Sequence, residues 1–267
     1  MYTFSTHHLR CICIAFILCL LLAFAGHSAA QPVRPDKLIA SIGPQGWPPF
    51  LIRAEKPEDS SGIMLEVLRR ITQRTGVQLQ IVEYPEKRAM AVLGSDKLHV
   101  YFKSPNWVHN PQRYLWSDTV LDIAEVVISR RAVPYSPDDI ASDQSLTLGT
   151  VLGFLYPEFS DGFMSGRLSR SDCSTPYESL RMLQLRRVDA VLDCEYVTRY
   201  YMQNNPSFRD EFVISKPYTP KHGYGFVFGN TQELADYLPI FNAELARMKK
   251  NGELQEIIER YIGSTPK

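Results

Sequence analysis

Charge imbalance is the first thing this sequence lacks. Its 267 residues carry 29 Lys and Arg against 29 Asp and Glu, so there is no electrostatic footprint for nucleic acid or an anionic membrane. Histidine is sparse. Beyond the first thirty residues only His99, His109 and His222 occur, too dispersed in sequence for a metal-ligand cluster. No Gly-x-Ser-x-Gly elbow and no phosphate loop is present, so no motif-borne nucleophile or nucleotide chemistry is expected. There are no internal repeats and no low-complexity tract. Past residue 30 the chain has no long apolar run, and its only cysteines there are Cys173 and Cys194.

What it does have begins at the N-terminus. Arg10 precedes an apolar run from Cys11 to Ala25, and Ser28-Ala29-Ala30 supplies small residues for a signal peptidase. This is the layout of a secretory signal. The run falls short of the ~20 apolar residues that a spanning helix needs. Cleavage is expected after Ala30, leaving a mature chain of about 237 residues from Gln31, with 28 basic and 29 acidic groups. That length suffices for one large domain or two lobes. Cys11, Cys13 and Cys19 would leave with the signal. In an oxidising compartment the remaining pair, Cys173 and Cys194, is a candidate disulfide, with buried free thiols as the alternative. Such a bridge would add about 3 kcal/mol through the unfolded state.

Strand-like and helix-like segments alternate along the mature chain. Leu38 to Ile42 reads as a buried strand, Ile63 to Arg74 as a helix with Ser61 as N-cap and Gly76 just past its end. Val77 to Val82 is a strand, and Pro85 opens a short helix that Gly94 closes. Leu98 to Phe102, Ala124 to Ser129, Leu146 to Val151, Asp189 to Asp193 and Tyr224 to Phe228 read as further strands. Thr175-Pro176-Tyr177-Glu178 is a capping box for a helix running to about Arg187. Leu234, Leu238, Phe241, Leu245 and Met248 form one apolar helical face, with Asn230 and Glu233 at its start and Pro239 predicting a kink. A last helix covers Leu254 to Ile262. This order implies βα units and a largely parallel sheet. The polar stretch Pro134 to Ser145 and the turn-like Lys216 to Lys221 read as crossings, which puts lobe one at residues 31–131 and 221–267 and lobe two at 132–220.

Gly43-Pro44 ends the first strand in a loop carrying Trp47-Pro48-Pro49-Phe50. The prolines fix their own φ and hold Trp47 extended, so the two rings can either grip a small molecule or plug the core. Trp47-Pro48-Pro49-Phe50, Gly62-Ile63-Met64-Leu65-Glu66, Asn110-Pro111-Gln112-Arg113 with Trp116-Ser117-Asp118, Arg187-Val188-Asp189-Ala190-Val191 and the ending Ala243 to Gly263 occur in this order after a signal. Together they resemble the family 3 solute-binding proteins that serve bacterial ABC importers. The resemblance implies a two-lobe α/β fold of the type II periplasmic-binding-protein kind, each lobe a mostly parallel sheet flanked by helices, joined by two hinge strands around a ligand cleft.

It also implies site residues. Arg113 matches the arginine that holds a ligand carboxylate through its guanidinium fork, Ser104 an assisting hydroxyl, and Trp47 the aromatic that stacks on ligand, with Phe50 beside it. The family's Gly-Thr pair stands here as Gly153-Phe154, and its ammonium-binding acid falls on Cys194, between Asp193 and Glu195. Side chains alternate along a strand, so those two carboxylates should share the face opposite Cys194. Pro85-Glu86-Lys87-Arg88 resembles a Pro-x-x-Arg helix start, which makes Arg88 a further anion-binding candidate. Trp107 and Tyr156 are loop aromatics that would line the cleft.

The expected function is a monomeric periplasmic receptor for an amino acid or other small carboxylate, delivering it to a membrane ABC permease, without a cofactor and without chemistry. Two rivals remain. One is an exported dehydratase of the cyclohexadienyl type with Glu195 as acid catalyst; the other is a solute-sensing module.

Overall fold

The computed structural model describes residues 34–142 and 145–263; the expected export signal and its cleavage after Ala30 lie outside the described residues. The first apolar run is β1 (Lys37–Ile42), buried on both faces from Leu38 onward, as a strand inside a parallel sheet must be. Next come α1 (Ile63–Thr75), β2 (Gln78–Glu83), α2 (Glu86–Val92), β3 (Val100–Lys103), β4 (Leu115–Trp116) and β5 (Leu121–Ile123). The middle of the chain supplies β6 (Glu125–Arg130), α3 (Pro137–Ser142), β7 (Leu146–Val151), α4 (Ser160–Met164), β8 (Leu168–Cys173), α5 (Pro176–Gln184) and β9 (Ala190–Cys194). It continues through α6 (Glu195–Asn204), α7 (Pro206–Glu211) and β10 (Phe212–Ile214) to β11 (His222–Phe228), α8 (Gln232–Lys250) and α9 (Glu253–Ile262).

These strands build two sheets. In the first, β1 pairs in parallel with β2 and β3, and β11 returns antiparallel against β3, β4 and β5. In the second, β7 pairs in parallel with β8 and β9, while β6 lies antiparallel to both β9 and β10. Each lobe is thus a parallel three-strand centre extended by antiparallel strands, the two-lobe α/β architecture the sequence implies. One boundary moves. The strand expected to close lobe one, β6, belongs to the second sheet, so the first crossing lies at Ile123 to Glu125 and not after Arg131. The returning crossing precedes His222, near the expected position. The two crossing segments are tied together: Tyr218 N–H donates to the Glu125 carbonyl at 3.0 Å, and Glu125 N–H donates to Thr219 Oγ1 at 3.0 Å.

Helix starts show which local signals won. Thr175 accepts from Glu178 N–H, as its capping box predicts. Thr231, not Asn230, caps α8, which runs unbroken through Pro239. Ser61 does not cap α1. The orphan N–H groups of Ile63 and Met64 instead donate to the carbonyls of Pro49 and Phe50, at 2.9 and 3.1 Å. That approach requires Gly62, whose φ is +118° and whose missing Cβ would lie 2.6 Å from the Phe50 oxygen.

The main core gathers β1, β3 and β11 against α1, α8 and α9, and it also takes in Cys194 and Val197 from the second lobe. Smaller apolar clusters occupy the two faces of the second sheet and the α2 side of the first. The carboxyl end of β9 and the start of α6 therefore lie against lobe one, and this fixes which edge of lobe two faces the cleft.

Candidate functional site

The loop after β1 is held by its own backbone. Trp47 and Leu51 exchange both N–H···O=C bonds, at 2.8 and 3.0 Å, and the loop carbonyls cap α1. Little entropy remains to be lost when a ligand meets its rings. The two aromatic residues divide the two roles the sequence left open. Phe50 is fully buried, in the core, between Trp47 at 4.5 Å, Tyr224 at 5.1 Å and Tyr196 of α6 at 5.8 Å between ring centroids; it is a core plug, not a ligand contact. Trp47 stays partly exposed and forms a triad with Trp107 at 5.7 Å and Tyr224 at 5.5 Å, the latter two being 5.7 Å apart. His222 meets Trp107 edge-on at 5.2 Å. Trp107 is 41% exposed, on a turn whose N-cap is Ser104. The Ser104 hydroxyl accepts from Asn106 N–H at 3.3 Å and is buried, so it positions Trp107 instead of presenting itself to solvent.

The charged candidates separate in the same way. Arg113 is exposed on a 3-10 turn, and its guanidinium has no hydrogen bond or ion pair among the described residues. Arg88 lies over the Tyr84 ring at 5.1 Å, already engaged with its own lobe. A pair the sequence did not reveal sits nearby: Lys103, almost buried at the end of β3, is bonded to Glu86 on the first turn of α2. The only local signal for it was a lone cation ending an apolar strand. Burial foremost, and the Glu86 charge in addition, raise the Tyr101 hydroxyl above its usual range, and burial foremost does the same to Tyr224.

In lobe two, Tyr156 packs in the core beside Phe159, its hydroxyl accepts Val151 N–H at 3.0 Å, and Arg170 covers its ring at 5.2 Å. It does not line the cleft. Asp193 is 3% exposed. Its Oδ1 accepts Cys194 N–H at 2.7 Å, and its Oδ2 has no partner. Burial first, and the Glu125 charge in addition, push its carboxyl up to about 7. Glu195 does not share a face with it as strand alternation implied, because the helix begins at Glu195 and alternation ends at Cys194. Its carboxylate is held by Arg199 one turn on, at 2.7 and 2.8 Å.

What lobe two does present is the loop after β7. It follows Val151 at the carboxyl end of β7, and because β7 and β9 run parallel this is the same end of the sheet as Cys194. Leu152, Phe154 and Leu155 are 70%, 42% and 88% exposed, while their backbone is pinned by Leu152 N–H to the Cys173 carbonyl at 2.9 Å and by Arg170 to the Phe154 carbonyl at 3.1 Å.

The disulfide expectation is corrected. Cys173 and Cys194 are both free. Strand β7 lies between β8 and β9, and two strand spacings of about 4.8 Å each exceed the roughly 7 Å over which Cα atoms can be bridged. Non-reducing alkylation of denatured protein, followed by peptide mapping, should label both; an unlabelled, mutually linked pair would show that β7 does not separate them.

Two sheets with parallel centres, two hydrogen-bonded crossings and an aromatic loop at the interlobe edge define a type II periplasmic-binding-protein-like fold. The chain belongs to the bacterial extracellular solute-binding proteins, family 3, which it matches over residues 41–264. Among solved structures it is similar to an ancestral cationic amino acid solute-binding protein, with 15% identity, TM-score 0.71, and coverage of 85% of this chain and 96% of that one. A substrate-binding domain of a putative amino acid ABC transporter from Streptococcus pneumoniae gives 19%, 0.65, 85% and 99%. A histidine kinase sensor domain similar to periplasmic binding proteins gives 18%, 0.64, 86% and 97%. No curated protein matches by sequence. Among the described residues, no helix is long and apolar enough to cross a membrane, and no cluster of His, Cys, Asp or Glu could hold a metal ion.

Proposed function

We propose that this chain is a monomeric periplasmic receptor, exported by cleavage after Ala30, that traps a small carboxylate-bearing solute between its lobes and hands it to an ABC permease. The observation that carries this reading is the Trp47, Trp107 and Tyr224 triad at the interlobe edge, with the unpartnered Arg113 on the same lobe. A ligand touching both lobes shifts the open–closed equilibrium by its differential affinity for the closed form. A thermal-shift screen against amino acids, organic acids and polyamines tests it. A binder at 100 times its Kd adds about 2.7 kcal/mol, a rise of at least about 2–4 °C for a chain of this size. Arg113→Ala should remove the shift for carboxylates; unchanged affinity would take Arg113 out of the site.

Binding without chemistry is the better reading of Glu195. Both Arg199 Nε and Nη2 bind its Oε1, which ties the side chain to its own helix, whereas a general acid must be placed to reach a substrate. Consumption of prephenate by the protein, stopped by Glu195→Gln, would overturn this.

A further inference from the structure

We propose that Asp193 is a proton-operated latch on the junction between the two sheets: protonated, it leaves the crossing segments tied, and ionised, it loosens them. The latch holds whichever solute the protein takes. Its parts are few. Tyr218 N–H donates to the Glu125 carbonyl, Glu125 N–H donates to Thr219 Oγ1, and the Thr219 hydroxyl donates to the Glu125 carboxylate. Further along β6, Ser215 N–H donates to the Val127 carbonyl. Glu125 thus holds the second crossing with its backbone and its side chain at once. Across the β6–β9 pair, its neighbour Val126 stands opposite Asp193. Asp193 is 3% exposed, and only its Oδ1 has a partner, the Cys194 N–H.

A buried carboxyl oxygen without a donor suits the neutral acid, and ionising it is costly unless a cation answers. The titratable groups around Asp193 are Glu125 on β6, Tyr218 on the second crossing, Tyr156 after β7, Cys173 ending β8, Tyr201 on α6 and the adjacent Cys194. Burial raises each of these hydroxyls and thiols, which keeps them uncharged. The cations closest by are engaged: Arg170, over the Tyr156 ring, is paired with Asp172, and Arg199 with Glu195. An ionised Asp193 therefore meets one uncompensated charge, the like charge of Glu125, and in a poorly solvated interior the two repel. Relief takes one of two movements. Either Glu125 swings away and Thr219 loses its acceptor, or Asp193 turns out to water and opens the end of β9 on which β6 is paired. Both undo hydrogen bonds of the junction. The Asp193 carboxyl is pushed up to about 7, so the latch works across neutral pH.

Amide hydrogen exchange followed from about pH 5 to 8, with each rate divided by its intrinsic value at that pH, separates a local latch from a general loss of stability. Protection at the Glu125, Ser215 and Tyr218 amides is expected to fall roughly tenfold or more as pH rises. Two amides serve as references: Asp189 N–H, bonded to the Thr147 carbonyl at the other end of β9, and Tyr84 N–H, bonded to the Ile42 carbonyl in lobe one. These should keep their protection. Asp193→Asn should hold the junction amides protected throughout. Glu125→Gln retains an acceptor for Thr219 but removes the charge, so its loss should be much smaller than that of the wild type. A junction that stays protected in the wild type overturns the latch. So does an equal fall at the reference amides, or a fall that persists undiminished in Asp193→Asn or in Glu125→Gln.

Discussion

Gly62→Ala is expected to destabilise the protein by about 3 kcal/mol, a fall of roughly 6–12 °C in melting temperature. The residue sits at φ +118° and ψ 161°, a region open essentially to glycine alone. A Cβ there would lie 2.6 Å from the Phe50 oxygen, 2.8 Å from the Phe50 carbonyl carbon and 2.9 Å from the Leu51 Cα. All three are backbone atoms, so no side chain can swing aside. Relieving the clash pulls the loop from the start of α1 and breaks the bonds from Ile63 and Met64 to Pro49 and Phe50. Ligand binding should weaken with stability, because the same loop carries Trp47. Gly252→Ala is the control: its φ is +83° but nothing lies within 4 Å of the added Cβ, so only conformational strain of about 1 kcal/mol applies. Equal melting shifts for the two variants would show that loop and helix are not locked together.

That lock explains part of what the sequence could and could not reveal. Elements marked by an apolar run or a side-chain cap were legible: β1, α1, β7, α5 and α8 fall within a few residues of their expected bounds. The cap of α1, though not its start at Ile63, was misassigned to Ser61, because its caps are backbone carbonyls, which no residue type announces. Strand β8 was missed since its alternation, LSRSDC, has one buried side chain and reads as polar. The sheet that β6 joins is decided by strands distant in sequence, and local pattern carries no such information. In the site, Trp47 and Trp107 were visible as loop aromatics, but Tyr224 and His222 look like ordinary strand residues until β11 is laid beside β5 and the Pro105–Trp107 turn. The carboxylates failed for one reason: Glu195 starts a helix, so strand alternation stopped predicting directions one residue too early.

Asp193→Asn should produce the largest change in pH dependence. In the unfolded chain this carboxyl ionises in the ordinary range near 3.8; in the fold, burial and the Glu125 charge hold it up to about 7. Between those values the native state binds the extra proton, so its contribution to stability falls as pH rises and the full penalty applies above about 7. Three units correspond to about 4 kcal/mol as an upper scale. Other groups run the opposite way. His99 is lowered, mainly by burial, so it favours the fold increasingly up to about pH 6.5. Glu253, bonded to Arg70 and Arg74, is lowered and contributes above the ordinary carboxylate range, a contribution lost on acidification. The measurement is therefore a difference: urea unfolding of the wild type and the Asp193→Asn variant at pH 5, 6.5 and 8. At pH 5 the amide resembles the protonated acid, and the two should be close. By pH 8 the variant should be more stable than wild type by several kcal/mol. A flat difference across that range would mean that Asp193 titrates as an ordinary carboxylate. The consequence reaches the hinge. Glu125, the charged neighbour of Asp193, accepts the Thr219 hydroxyl that bridges the two crossing segments. Ionising Asp193 sets a second negative charge against this joint between the two sheets, and the amide removes it.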